Sequence, residues 1–476
     1  MSAITSGKTR ISSIGNMDSY IILAFIIYGF FSQYLFLSIT AGISLVIILR
    51  SLWKPYVPPV LLFFMSFHWL QVFASIVRAD VAGYTLDELH YSHNTDLLLF
   101  MTFMHITAMT LVLNYFIENK KNRLASLDSL RDAAKKLNTK NVIIGYFVAL
   151  FIVPIIISFS HGSPALYQLA LSFRIIKVAF LALLFFILLL KDTNNKLLLV
   201  SIIVFDFVLS FASFFSDFKT TLIMMMIVYF TVYPHLKKGT FVKMLPVGFA
   251  LFLFFSFWSA VKGNYRLYLN QGTAQQIKAV SNEDALAYIF DKAKDADLNT
   301  IREGAEIFLS RVQYMERYSE VYKTVPEVIP FQNGGDLMKT INFLLVPRFL
   351  NPDKGVKDAS ERTSYYTGKR FTRASQGTSI SMGYFCDMYI DFGLYVMFIP
   401  LIFIAALVGL VYKRIVAIEN YNRLFLYSIL VGTFLSLGTF ESDSLFFLGM
   451  LRNNIVLLLL AHFTLFPFIN KFIQEK

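Results

Sequence analysis

The chain has 476 residues, of which 56% are hydrophobic and only 16% are charged, with a formal net charge of +12. Average soluble proteins carry about 25% charged residues, so this composition argues against an ordinary soluble domain and indicates a polytopic membrane protein. The positive charge does not indicate nucleic acid, because basic loops hold membrane proteins in the cytoplasmic leaflet. The single cysteine, Cys386, excludes an internal disulfide framework.

Residues 20–50 form the first long apolar segment. They predict either a tight hairpin of two short spans, turning at "GFFSQY", or one long span. Lys8 and Arg10 favour a cytoplasmic N-terminus, and therefore the hairpin.

The basic segment 118–140 fixes the orientation of the later spans. It holds seven Lys/Arg and three acids in a short loop, which the positive-inside rule assigns to the cytoplasm. Counting outward from it gives twelve spans with both termini cytoplasmic, and every short loop placed inside is basic. The spans after the hairpin are residues 57–77, 97–116, 142–160, 165–190, 197–215, 220–233, 245–261, 388–412, 422–440 and a last one that ends at Lys471.

One large outer loop separates the ninth span from the tenth. The chain thus divides into residues 1–261 with spans one to nine, 262–386 as a periplasmic loop or lid, and 387–476 with spans ten to twelve. Helical spacing of apolar residues predicts an amphipathic helix over residues 300–323, beginning at a capping box of Thr300 and Glu303. The predicted fold is therefore an all-α polytopic membrane protein with about twelve transmembrane helices and one large, mainly helical loop.

Several charges lie within or beside the predicted spans, where an ionisable residue is costly. Arg174 and Lys177 share one side of a helix, and they either extend to the outer interface or form the basic rim of a cavity. Asp206, in the middle of a span, is expected to pair with a span charge or a bound cation. Glu441 and Asp443 at an outer turn, with Arg452 below them, form either a local salt bridge or part of a site.

The segment 346–379 adds seven Lys/Arg against three acids to the same outer side. Arginine forks suit phosphate and pyrophosphate oxygens. We therefore expect a cation-lined cavity whose guest is an anionic amphiphile, with this segment as a lid over a phosphorylated head group. The alternative is a solvated basic loop.

Metal and cofactor signals are weak. His90 and His93 form an H-x-x-H pattern with no evident third ligand, and no phosphate-binding glycine loop occurs. The sequence predicts neither a metal nor a cofactor.

Two stretches, "SFFSDFKTTLIMMMI" and "QGTSISMGYFCDMYIDFGLYVMFIPLIFIAALVGLVYKR", together with the span layout, resemble the O-antigen or oligosaccharide repeat-unit polymerases of the Wzy type. The resemblance implies a metal-independent membrane glycosyltransferase, with a GT-C-like architecture, in the bacterial inner membrane. Its substrates would be oligosaccharides on undecaprenyl pyrophosphate, polymerised on the periplasmic face. A chain-length regulator and a flippase are implied as partners, and nucleic acid is not.

The implied reaction needs cations for the pyrophosphate and a base for the attacking hydroxyl. The pyrophosphate candidates are Arg311, Arg348, Arg373 and Lys219, with Arg174, Lys177 and Arg452 as further cations. The base candidates, which the sequence does not rank, are Glu441, Asp443, Asp217 and Glu316.

Two other functions stay open. The first is an O-antigen ligase, which would be expected to use a histidine in the large outer loop, and residues 262–386 contain none. The second is a transporter or flippase of lipid-linked sugars, although no paired inverted halves are visible.

Overall fold

The computed structural model describes residues 17–118, 122, 124–162, 164–211, 218–235, 238–273, 278–346, 355, 357–372, 379–437 and 441–475. These residues form α-helices joined by short turns, and no β-strand occurs among them, which confirms the all-α prediction. In chain order the helices are α1 (Met17–Phe31), α2 (Leu35–Leu52), α3 (Val60–Ala82), α4 (Leu86–His90), α5 (Thr95–Ile117), α6 (Leu127–Lys135), α7 (Thr139–Phe159), α8 (Pro164–Ser172), α9 (Arg174–Leu190), α10 (Lys196–Phe211), α11 (Phe218–Val232), α12 (Lys238–Leu269), α13 (Asn282–Lys294), α14 (Leu298–Val312), α15 (Met315–Thr324), α16 (Gly335–Leu345), α17 (Ala359–Thr367), α18 (Tyr384–Val396), α19 (Phe398–Ala417), α20 (Arg423–Leu435), α21 (Ser444–Phe463) and α22 (Leu465–Ile473).

Seven helical segments in the described part are long and apolar enough to cross a membrane. Three further apolar helices are shorter, and the total of twelve spans stays a prediction. The seven segments are Leu35–Leu52, Val60–Ala82, Thr95–Ile117, Thr139–Phe159, Leu166–Leu190, Phe398–Ala417 and Ser444–Phe463.

Residues 20–50 form the helical hairpin. Helices α1 and α2 are separated by the turn at residues 32–34, which excludes a single long helix. They run antiparallel, because Asp18 forms an ion pair with Arg50 at the far end and Gly42 faces Phe25 in the middle. A Cβ at Gly42 would lie 2.8 Å from the Phe25 Cβ, so glycine permits this close approach.

The connecting segments gather at two opposite ends of the helix bundle. At one end, Lys191 Nζ lies 2.7 Å from Glu475 Oε1, and Asn422 Nδ2 donates to the Ala133 carbonyl at 2.8 Å. At the other end, Ser92 Oγ donates to the Ser319 carbonyl at 3.1 Å. The first end unites basic loops that the sequence assigns to the cytoplasm, and the second unites segments that it assigns to the outer side.

The predicted single helix over residues 300–323 is wrong. Helix α14 ends at Val312, and α15 begins at Met315. The break forms because Gln313 and Tyr314 bond to α3 instead of continuing the helix: Ser75 Oγ donates to Gln313 Oε1 at 3.1 Å, and the Tyr314 N–H donates to the Gln71 carbonyl at 3.2 Å.

The predicted cap is also displaced by one turn. Asp297 is the N-cap of α14, because its carboxylate accepts from the Thr300 N–H at 2.8 Å and the Thr300 hydroxyl lies close to the backbone of Asp297. Thr300 is therefore the third residue of the helix, and the box pairs Asp297 with Thr300.

Helix α14 packs closely on α12. A Cβ built on Gly304 would lie 2.0 Å from the backbone carbonyl oxygen of Ser256, so only glycine allows this contact. Phe308, one turn later, stacks on Phe255 with ring centroids 5.7 Å apart. Together they fix the middle of α14 against the middle of α12.

A fully buried carboxylate joins four helices inside the bundle. Asp206 of α10 lies 2.6 Å from Lys177 Nζ of α9 and accepts from Tyr146 of α7 at 2.8 Å and from Thr221 of α11 at 2.9 Å. The expected pairing of Asp206 with a span charge is confirmed. An unpaired charge in this position would be strongly destabilising, and these contacts distribute it over both oxygens.

Replacing Asp206 by Ala should lower the free energy of unfolding by about 3–5 kcal/mol, because it leaves the Lys177 ammonium without its counter-ion. Thermal unfolding of the purified protein measures the effect. The matched control is Lys196→Ala, at the first residue of the helix that carries Asp206. It breaks the exposed ion pair of Lys196 with Asp192 and should cost at most about 1 kcal/mol. Equal losses would show that Asp206 has no special structural role.

Gly304→Ala should destabilise the protein by about 1–3 kcal/mol, because the added methyl group must push α14 away from the α12 backbone. Gly263→Ala in α12 is the control, since nothing lies within 4 Å of the position that its added methyl group would take and alanine favours the helix. Unfolding midpoints of the two variants should shift in opposite directions, and a neutral Gly304→Ala would contradict the packing described here.

Candidate anion-binding site

A small aromatic core supports the start of α11 and the C-terminal half of α12. Phe218 is fully buried and meets Trp258 edge-on, with ring centroids 5.5 Å apart, and Trp258 meets Tyr265 at the same distance. In the sequence, Lys219 follows Phe218, Lys262 follows Val261 of this core, and Arg266 follows Tyr265. Each buried apolar residue thus fixes the backbone next to a cation.

The cations converge on one electrostatic cluster. Burial, together with the positive charges of Arg266, Lys219 and Arg311, lowers the pKa of Lys262 to about 8, while the negative charge of Glu441 acts in the opposite direction. Lys262 lies beyond the predicted end of its span at residue 261. Four cations from α11, α12 and α14 therefore repel one another around a common space, which an anion would relieve.

Glu441 is the carboxylate of this cluster. Its side chain accepts from Gln71 Nε2 at 2.9 Å and yet remains exposed to solvent. Burial by the surrounding protein raises the pKa of Glu441 above its usual value, while the charges of Lys219 and Lys262 act in the opposite direction. The Glu441 carboxylate thus remains open to solvent beside Lys219 and Lys262, and the region that these groups share with Arg266 and Arg311 is called the recess below.

Asp443, two residues later, faces a different environment. Its Oδ1 accepts from the Phe446 N–H at 2.7 Å and caps α21, while its Oδ2 makes no hydrogen bond to any described residue. Burial, together with the nearby charge of Asp387, raises the pKa of Asp443 to about 6, while the charges of Arg362 and Lys357 act in the opposite direction. The group can accept a proton near neutral pH.

An ion-pair network holds the turn that carries both carboxylates. Arg362 forms ion pairs with Asp387 and, at 3.2 Å, with Asp336. Asp387 also accepts from the Ser444 N–H at 2.6 Å. Because Ser444 begins α21, this network fixes the position of residues 441–443.

The structure brings together some of the predicted site residues. Glu441, Lys219 and Arg311 lie in one cluster, and Asp443 adjoins it. Asp217, Arg348 and Arg373 lie outside the described residues.

Four other candidates have different surroundings. Lys177 is bound to Asp206, and Glu316 lies between Arg317 at 3.3 Å and Arg78 at 3.9 Å. Arg174 is exposed at the first residue of α9. Arg452 donates to the Leu344 carbonyl at 2.6 Å and so satisfies the C-terminal end of α16. None of the four faces the recess of Glu441 through a contact that the structure records.

Sequence reasoning missed Gln71, Lys262 and Arg266. Lys262 and Arg266 directly follow a predicted span, where basic residues are common at interfaces. Their i,i+4 spacing, which places both on one side of a helix, is the signal that could have identified them.

Metal-binding groups are not assembled in the described part of the chain. No three His, Cys, Asp or Glu side chains there are arranged to hold a metal ion. His90 is buried, and His93 lies 3.3 Å from Glu327, so the two histidines of the H-x-x-H pattern face different surroundings.

The fold and site define a helical protein with membrane-spanning segments and a cationic recess at one end. Residues 102–425, more than half of the chain, match the family described as a domain of unknown function, DUF8712, and the chain belongs to that family. No curated protein and no solved structure matches the chain.

Inorganic pyrophosphate should bind the purified protein, and Lys262→Gln or Arg266→Gln should each weaken binding about 10- to 100-fold. The reason is that a hydrogen bond to a charged group contributes roughly 1.5–3 kcal/mol. Calorimetric titration measures the affinity. Arg302→Gln on α14, whose side chain is exposed and paired only loosely with Glu306 at 3.9 Å, is the control and should bind like the unaltered protein. Equal affinities for all variants would contradict the assignment of an anion site.

Proposed function

We propose that this protein is a membrane glycosyltransferase that polymerises lipid-linked oligosaccharide repeat units at the outer face of the bacterial inner membrane. The observation that carries the proposal is the recess, where Lys219, Arg266 and Arg311 all act electrostatically on Lys262, and where Lys219 and Lys262 act on Glu441. Such a recess suits a diphosphate, and its place beside apolar helices suits a diphosphate that is attached to a lipid.

The proposed topology has about twelve spans, both termini in the cytoplasm and residues 262–386 in the periplasm. It is supported by the separation of the connecting segments into two ends, since the basic loops meet at the end opposite the recess. The recess would then open on the side where lipid-linked repeat units are joined.

The proposed reaction joins two lipid-linked glycans. A hydroxyl oxygen of the acceptor attacks the anomeric carbon of the donor, and a new glycosidic bond forms. The bond from that carbon to the diphosphate breaks, and its electron pair leaves with the phosphate oxygen. The cations of the recess would stabilise the charge on the leaving diphosphate, and no metal is required for this step.

Asp443 is the base in this proposal. The hydroxyl proton passes to its Oδ2, which has no partner among the described residues, and then to solvent. Glu441 would instead balance the charge of the cations, because Lys219 and Lys262 stabilise its anionic form.

The last turn of α14, which carries Arg311, would align the substrates. Arg311 lies in the last turn of α14, and the bonds of Gln313 and Tyr314 to α3 hold that end in place. A fixed position of this helix end favours transfer between two bound chains, since orientation alone can contribute several kcal/mol to catalysis. A chain-length regulator and a flippase are the proposed partners, and an undecaprenyl pyrophosphate glycan is the proposed substrate.

Deletion in the native host tests the function. Loss of a polymerase leaves surface lipid bearing the core and one repeat unit. Loss of a ligase would leave bare core with polymer still on the carrier, and gel analysis of the surface polysaccharide distinguishes the two results. A third result, unchanged polysaccharide, would overturn the proposal.

Asp443→Asn should lower kcat for extension of lipid-linked repeat units about 10²- to 10⁴-fold, the range for loss of a general base. For the unaltered enzyme, kcat/KM should rise with pH through about 6, as Asp443 loses its proton, and fall above about 8, as Lys262 loses its charge. Proteoliposomes with purified substrate provide the assay.

Two variants control this result. Lys262→Arg should extend the active range to higher pH, because the guanidinium keeps its charge. Asp291→Asn, on the exposed face of α13, should leave the profile unchanged. A rising limb near pH 6 that persists in Asp443→Asn would identify another group as the base.

A further inference from the structure

An apolar slot lies between α16 and α21. It has a volume of about 250 Å³, and Leu407 of α19 contributes to its lining. Its lining is hydrocarbon apart from one arginine: Ile341, Leu344, Leu345, Leu407, Leu448, Leu451, Arg452, Ile455 and Val456.

Helix α16 is too short to cross a membrane and runs beside α21. Its first turn is held by Asp391, whose carboxylate accepts from the N–H groups of Asp336 at 3.0 Å and Leu337 at 2.7 Å. Its last turn meets Arg452, eight residues after the start of α21. The helix therefore starts at the end of the bundle that carries Asp443 and descends along α21.

The slot continues the candidate site into the apolar part of the bundle. Leu448 lies five residues after Asp443 on α21, about 7 Å along the helix axis. Asp336, at the top of α16, belongs to the same ion-pair network that fixes Ser444. The candidate site and the slot are thus connected through α21 and through the ion-pair network that includes Asp336.

The surroundings and wall of the slot suit one kind of occupant. Lys357 lies 5.0 Å from the ring centroid of Phe343 on α16 and acts electrostatically on Asp443, so a cation lies near Asp443, five residues before Leu448 of the slot. Arg452 turns its guanidinium onto the Leu344 carbonyl and Asn453 Oδ1, which leaves a hydrocarbon surface below. The volume is smaller than the ~300–1,000 Å³ of pockets for drug-sized ligands and suits part of a single chain.

We propose that this slot between α16 and α21 holds the isoprenoid chain of a prenyl-diphosphate-linked substrate. This inference rests on the proposed function and adds where the lipid lies. A diacyl phospholipid fits less well, because it brings two chains to a slot for one.

Cysteine protection tests the proposal on the full chain in lipid nanodiscs. Leu345→Cys and Val456→Cys place a thiol at the slot, and Leu111→Cys places one on the exposed surface of α5 as a control. The native Cys386 is buried and gives a low background. Alkylation by a maleimide is followed with a short prenyl pyrophosphate, with inorganic pyrophosphate, or with the corresponding prenyl alcohol.

At about ten times its Kd, the prenyl pyrophosphate should slow alkylation at both slot positions about tenfold, as simple occupancy requires, and leave Leu111→Cys unchanged. Equal protection by the alcohol would overturn the proposal, because any hydrocarbon would then fill the slot. Protection by inorganic pyrophosphate alone would also overturn it, since the thiols would then report a change of shape.

A competition measurement separates this inference from the proposed function. If the prenyl pyrophosphate displaces inorganic pyrophosphate but protects neither thiol, the isoprenoid chain lies elsewhere and the slot proposal fails alone. If neither compound binds the unaltered protein, the proposed function fails and the slot proposal fails with it.

Discussion

The cost of an uncompensated charge in or beside a bilayer is the constraint on which the rest of this structure depends. Asp206 and Lys177 compensate each other's charge in an ion pair, and Asp206 accepts two further hydrogen bonds. The Arg452 guanidinium donates to the Leu344 carbonyl at the C-terminal end of α16. Lys219, Lys262, Arg266 and Arg311 act on one another as like charges, and we propose that this group of cations binds an anion.

That concentration of cations is built by apolar packing. Phe218, Trp258 and Tyr265 form a core of their own, and the residues that follow Phe218 and Tyr265 are cations. Gly304 brings α14 onto α12 and so brings Arg311 to the same region. The hydrophobic effect thus supplies the free energy that holds these like charges together.

The sequence predicted what depends on composition and periodicity. The helical hairpin at residues 20–50 and the grouping of the basic loops at one end follow from apolar runs and charge bias, and both are present. The break between α14 and α15 could not be read in this way, because it arises from hydrogen bonds of Gln313 and Tyr314 to residues more than two hundred positions earlier. The partner of Arg452 could not be predicted for the same reason: the Leu344 carbonyl carries no sequence signature.

The two carboxylates at the turn 441–443 show why pattern alone did not rank the base candidates. They are two residues apart, and burial raises the pKa of both, yet the charges that act on Glu441 are the cations Lys219 and Lys262, whereas the charge of Asp387 acts on Asp443 against Arg362 and Lys357. Cations stabilise a carboxylate anion and make it a weaker base, whereas a neighbouring negative charge makes a carboxylate a stronger one. In the proposed reaction the leaving diphosphate needs the first environment and the proton acceptor needs the second. One short turn provides both, because Asp387 fixes the first residue of α21 at the boundary between them.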